Sequence, residues 1–168
     1  MTSEKIPRYR VDGIISLEVI KELGLFPPEE RLKKGPVVLI ECPEKIPCNI
    51  CVSACPFGAI SMDSIIDIPK VDWDKCTGCA TCVALCPGLA IFVVDLSKED
   101  KAYITVPHEF IPAPDVGEEV ILLNKEGKRV GKGKVVRVFE RNKTYVVTVE
   151  VPRELVFEVR AIWVERRK

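Results

Sequence analysis

The chain has no glutamine, three asparagines (Asn49, Asn124 and Asn142) and a single histidine, His108. Scarce amides beside many Lys and Glu follow the composition of thermophilic proteins. A lone histidine in a proline-dotted segment offers no imidazole-based metal centre, so His108 is expected at the surface or in packing. No stretch reaches the roughly 18–20 unbroken apolar residues that a membrane span needs. Residues 1–5 lack the basic start and apolar run of a secretory signal, so the cytoplasm is the expected compartment. Charge of one sign is not in excess either: 25 Lys and Arg face 25 Asp and Glu. That balance excludes a strong nucleic-acid field or an anionic-membrane patch. No acid, base or nucleophile stands out as a catalytic group.

What is present is cysteine. The 168 residues suffice for one ordinary domain or two small ones, and 47% apolar with 30% charged residues is a globular composition. All eight cysteines fall between Cys42 and Cys86. In a reducing compartment such density argues for metal and against disulfides. The second group reads Cys76-x2-Cys79-x2-Cys82-x3-Cys86-Pro87, the spacing of a [4Fe–4S] ligand run. The first reads Cys42-x5-Cys48-x2-Cys51-x3-Cys55-Pro56, the same run with three extra residues after its first cysteine.

Thiolates two residues apart in a tight loop reach neighbouring irons of one cubane, while loop amides offset the cluster charge. The fourth cysteine lies a helical turn further on, and the proline after it turns the thiolate toward the other cluster. The ligands are therefore expected to cross over. Cys42, Cys48 and Cys51 join Cys86 on one [4Fe–4S] cluster; Cys76, Cys79 and Cys82 join Cys55 on the other. Residues 51–60 and 82–91 match at six of ten positions with a constant offset of 31. Such a duplicated half-unit predicts a pseudo-twofold module. Cys42 is the exception in spacing, with Pro43 and Pro47 stiffening a wider loop. Without Cys42, its cluster is left with three cysteines and becomes a [3Fe–4S] candidate. Zinc knuckles do not need two C-x3-C-P endings. A radical-SAM motif fails because Gly58 and Leu89 stand where its next cysteine belongs.

The expected fold class is α+β: a ferredoxin-like two-cluster core of β-α-β repeats, an N-terminal arm and a small C-terminal all-β, barrel-like unit. The arm is residues 1–36, with a helix over 17–23 capped by Ser16 and ended by Gly24, then a turn from Pro27. The core is 37–96, with strands over 37–40 and 89–94 and a hairpin from 60–62 to 68–71. Residues 97–115 form a strand-containing linker. Residues 116–168 read as four or five strands, SH3-like or OB-like, over 116–123, 130–138, 145–151 and 161–164. Tyr145 and Trp163 lie in apolar alternation and read as core, which argues against nucleic-acid binding. Candidate shell residues around the clusters are Ile46, Ile50, Val52, Phe57, Ile60, Val83, Leu85, Leu89, Ile91 and Phe92.

Residues 42–94 resemble the bacterial two-[4Fe–4S] ferredoxins. A looser likeness runs through residues 41–49 and 86–95 into the β tail. These segments are similar to the small iron–sulfur subunits of flavin-dependent amine and amino-acid dehydrogenases, of the proline or hydroxyproline type. The resemblance implies a non-catalytic electron-transfer subunit of a flavoprotein complex, passing electrons between flavin and an external carrier. A freestanding ferredoxin is the alternative. The arm and β tail lean toward the subunit, because a free carrier needs neither.

Overall fold

The computed structural model describes residues 6–165, so residues 1–5 and 166–168, parts of the arm and of the β unit, lie outside the described residues. Three short helices open the chain: α1 (Tyr9–Asp12), α2 (Leu17–Glu22) and α3 (Glu29–Leu32). The Ser16 hydroxyl accepts from the Val19 amide at 3.4 Å, and Gly24 leaves the helix at φ 69°. These helices are too short to persist alone. They are held by Ile20, Leu25 and Leu32, all buried in the common core.

Strand β1 (Val37–Ile40) leads to α4 (Ile50–Ala54), the hairpin β2 (Ile60–Ser61) and β3 (Lys70–Val71), α5 (Thr81–Leu85) and β4 (Ile91–Asp95). β1 and β4 pair antiparallel, Val37 with Val94 through Ile40 with Ile91. Every residue of β1 is buried. A strand covered on both faces reads as a continuous apolar run and not as an alternation. The cysteine loops cover one face. On the other, Arg160 stacks over Phe92 at 5.1 Å.

The remaining strands are β5 (Ala102–His108), β6 (Glu119–Leu123), β7 (Arg129–Arg141), β8 (Thr144–Val151) and β9 (Ala161–Trp163), with a 3-10 turn at Arg153–Leu155. All pairings are antiparallel, and the order β1-β4-β5-β8-β7-β6-β9 makes one seven-stranded sheet. The fold is α+β, with few short helices on a largely antiparallel sheet. The segment read as a linker supplies β5, which pairs with both β4 and β8. The sheet curls until β9 approaches β5.

Trp163 corrects the sequence reading: it is 45% exposed. The alternation is real but its phase differs, since Ile162 and Val164 point inward. His108 is buried, with Nε2 3.4 Å from the Pro112 carbonyl and its ring edge-on to Phe110. Among the described residues no helix is long and apolar enough to cross a membrane.

Candidate iron–sulfur centre

The two cysteine runs fold alike for a local reason. Cys51 lies in α4 and Cys82 in α5, and Cys55 and Cys86 end those helices. A residue before proline is pushed out of the helical region. Cys55 sits at φ −80°, ψ 109° before Pro56, and Cys86 at φ −68°, ψ 114° before Pro87. Each thiol then accepts an amide four residues on: Ala59 to Cys55 at 3.3 Å, Ala90 to Cys86 at 3.5 Å. Gly58 and Leu89, again 31 apart, both take positive φ, 63° and 52°. The helices α4 and α5 pack against each other.

Two apolar cavities open between these elements. Cys42, Cys48, Cys51 and Cys86 line the first, together with Ile40, Ile46, Ile50, Met62 and Ile91. Cys55, Cys76, Cys79 and Cys82 line the second, with Val38, Phe57, Ile60 and Val93. Strand alternation explains the division. Ile40 and Ile91 face the first cavity, and Val38 and Val93, two pairs further along on the same face, face the second. Of the shell residues read from sequence, Val52, Val83, Leu85, Leu89 and Phe92 line neither cavity. Phe92 instead faces Arg160, as its place between Ile91 and Val93 requires. Val38, Ile40, Met62 and Val93 were not singled out from sequence; strand geometry, which puts every second residue of β1 and β4 on one face, was the signal for three of them.

Burial sets the thiol chemistry. It pushes Cys51 up to about 11, with Cys86, Cys42 and Cys48 adding to the effect. It pushes Cys82 up to about 12, followed by Cys76, Cys79 and Cys55. Burial also raises Cys42, with Cys86 adding. At Cys79 the same burial is outweighed by hydrogen bonds from Thr81 and Thr77, and its thiol lies below the ordinary value. Thiolates crowded into apolar cavities need a positive centre to neutralise them, which bound iron supplies.

The donor set fits clusters and not single ions. All eight cysteines are free. Among the described residues, no three His, Cys, Asp or Glu side chains converge as one metal ion would require. Four thiols spread round a cavity suit a cubane's corners instead.

Residues outside the runs also brace them. Arg31 donates to the carbonyls of Trp73 (2.9 Å), Gly35 (3.2 Å), Pro36 (2.9 Å) and Cys76 (2.6 Å). Val38 donates its amide to Cys76 Sγ at 3.4 Å. In the widened first loop, the Cys48 amide reaches the Ile46 carbonyl at 2.7 Å and the Ile65 carbonyl at 3.0 Å. The Arg31 contacts carried no sequence signal, being made to backbone carbonyls, two of them more than 40 residues along the chain.

Comparison with known families agrees with this geometry. The 4Fe-4S dicluster domain matches residues 46–90, a span that starts after Cys42. The 4Fe-4S single cluster domain matches residues 70–160, more than half of the chain, running from β3 through the second cysteine run and β8 to the segment after the 3-10 turn. The chain belongs to the ferredoxin-type 4Fe-4S domain proteins. Its cofactors are [4Fe–4S] clusters. This ferredoxin-type chain is 40% identical over 109 residues to an aliphatic sulfonate oxidoreductase, polyferredoxin-like subunit, from Pyrococcus furiosus, covering 58% of each. It is 44% identical over 46 residues to one subunit of an ion-translocating oxidoreductase complex from Methanosarcina acetivorans, covering 27% of this chain and 17% of that one. A ferredoxin from Pyrobaculum islandicum is 38% identical over 61 residues, 36% of this chain and 56% of that one. The chain thus spans less than two thirds of the length of these relatives. No solved structure matches.

Proposed function

We propose that this chain is the electron-transfer iron–sulfur subunit of a multi-subunit flavin-dependent oxidoreductase of the amine or amino-acid dehydrogenase type. It relays electrons between flavin and an external carrier. Cys42, Cys48, Cys51 and Cys86 hold one [4Fe–4S] cluster; Cys76, Cys79, Cys82 and Cys55 hold the other. The observation that carries the reading is the pair of four-thiol cavities in one core, each drawing three cysteines from one run and one from the other. When bound, each cluster exchanges one electron at a potential tuned by its surroundings. The chain's own residues do the tuning: the amides of Val38, Ala59 and Ala90 donate to thiols, and the aliphatic walls keep water out.

Two observations support a subunit over a free carrier. The likeness to the Pyrococcus polyferredoxin-like subunit extends over 109 residues, beyond the 45-residue cysteine region. The arm and β unit pack on the cluster core through Arg31 and Arg160. The freestanding-ferredoxin reading draws on the Pyrobaculum ferredoxin, whose match covers 61 residues. Anaerobic purification of the natively expressed protein separates them. The expected result is a flavin-containing complex with about eight irons per copy of this chain. Recovery of the chain alone, fully loaded and free of any flavoprotein, would favour the carrier.

A further inference from the structure

The first cysteine run lacks the short spacing that places Cys76 in the second, so something other than its loop must locate Cys42. We infer that Glu41 does this, as a buried clamp that positions Cys42 and keeps the fourth iron of its cluster. The inference rests on the ligand sets proposed above.

Glu41 immediately precedes Cys42 at the end of β1, and its side chain is 8% exposed. One carboxylate oxygen accepts from Arg160 Nε at 2.9 Å and from Lys125 Nζ at 2.8 Å. Arg160 is itself fixed, donating to the Val159 carbonyl at 2.6 Å and lying over Phe92. Its second terminal nitrogen, Nη2, is buried without a partner. Lys125 also donates to the Ile15 carbonyl at 2.5 Å, which brings in the arm. The backbone of Glu41 is pinned as well: its amide donates to the Ala90 carbonyl at 2.7 Å, and the Ala90 amide donates to Cys86 Sγ at 3.5 Å. Glu41 therefore fixes Cys42 relative to Cys86, the two ligands of the first set that lie farthest apart in sequence. Cys76 has no such neighbour. Lys75, before it, is exposed and pairs with Asp72, and Arg31 holds the Cys76 carbonyl directly. A buried carboxylate serving two cations is costly to keep unless its position matters.

The test uses the full chain, loaded anaerobically and then titrated with ferricyanide. In the susceptible cluster, [4Fe–4S]2+ gives one electron to ferricyanide and releases one Fe2+, leaving [3Fe–4S]+. The readouts are the paramagnetic signal of the three-iron cluster, iron content and far-UV circular dichroism. Glu41→Gln is expected to convert one cluster per chain at least tenfold faster than wild type, falling from about eight irons to about seven, with the second cluster and the fold retained. Cys42→Ser starts with the three-iron signal, and adding Glu41→Gln to it changes nothing further, because both act at one ligand. Wild-type conversion rates in a folded Glu41→Gln protein would overturn the clamp. If Glu41→Gln does not fold, Lys125→Met decides: faster conversion supports the clamp, wild-type behaviour overturns it. Cys42→Ser with all eight irons would instead sink the ligand reading itself, leaving the two failures distinct.

Discussion

At the scale of single residues, the two halves of the cluster core differ where a side chain meets a backbone constraint. Gly78 is the sharpest case. Its φ is 68°, and a Cβ there would stand 2.5 Å from Pro36 Cβ and 2.6 Å from the Pro36 carbonyl oxygen. Pro36 is the residue before β1 and is itself held by Arg31, so it has little room to retreat. Gly78→Ala is expected to cost about 2–4 kcal/mol, combining left-handed backbone strain with a backbone clash. Anaerobic denaturant titration of the loaded protein checks this; an unchanged midpoint would mean the loop around Cys79 is freer than it looks. Leu89 shows the opposite economy. It holds a left-handed conformation that its counterpart Gly58 adopts without penalty. The duplicated halves have thus kept the backbone path while one of them accepted strain.

At the scale of elements, the cysteine pattern made the helical turns of α4 and α5 legible through local spacing and proline chemistry, and apolar, β-branched runs did the same for β1 and β4. The Ser16 cap and the Gly24 stop of α2 were legible for the same reason. What was not legible is how elements from distant parts of the chain meet. β5 read as part of a linker because Pro107, the prolines beyond it and its polar neighbours obscure a strand whose burial comes from β4 and β8 on either side. Trp163 read as core because alternation reveals a period but not which phase faces inward. Glu41 was visible as a residue beside Cys42, yet nothing local announced Arg160 or Lys125 as its partners. His108 closes β5 and carries the element's own prediction. Burial pushes its pKa below 6.5, and hydrogen bonds at Pro112 and Phe110 offset only part of that. As pH falls through 6.5 the unfolded chain takes up a proton that the folded one resists, so stability declines toward acid and levels off below the folded value. His108 is the only histidine, so His108→Gln is expected to remove this part of the slope as pH falls from about 7.5 through 6.5. Parallel stability curves for the two proteins over that window would contradict the assignment.

At the scale of the whole molecule, one sheet carries both the cluster core and the β unit. β4 pairs with β5 and β5 with β8, so the ladder is unbroken from β1 to β9. The core is likewise continuous, taking in Ile20 of the arm, Val83 of α5 and Val149 of the β unit. Unfolding is therefore expected to be a single transition. The chain has two tryptophans, Trp73 beside the second cavity's loop and Trp163 on β9. In a Trp73→Phe variant, Trp163 fluorescence and cluster absorbance are expected to change at the same denaturant concentration. Two separated midpoints would show that the β unit opens on its own.

The Arg160–Glu41 contact spans 119 residues of sequence. A ribosome emits the chain from its N-terminus, so Glu41 and all eight cysteines leave the exit tunnel well before Arg160 does. Arg31, which holds the Cys76 carbonyl, emerges ahead of every cysteine. During synthesis Arg31 can meet the carbonyls of Trp73 and Cys76 as soon as they emerge, while Glu41 waits for a partner still inside the ribosome. The order in which these two braces can close is thus written into where the chain places Arg31 and Arg160.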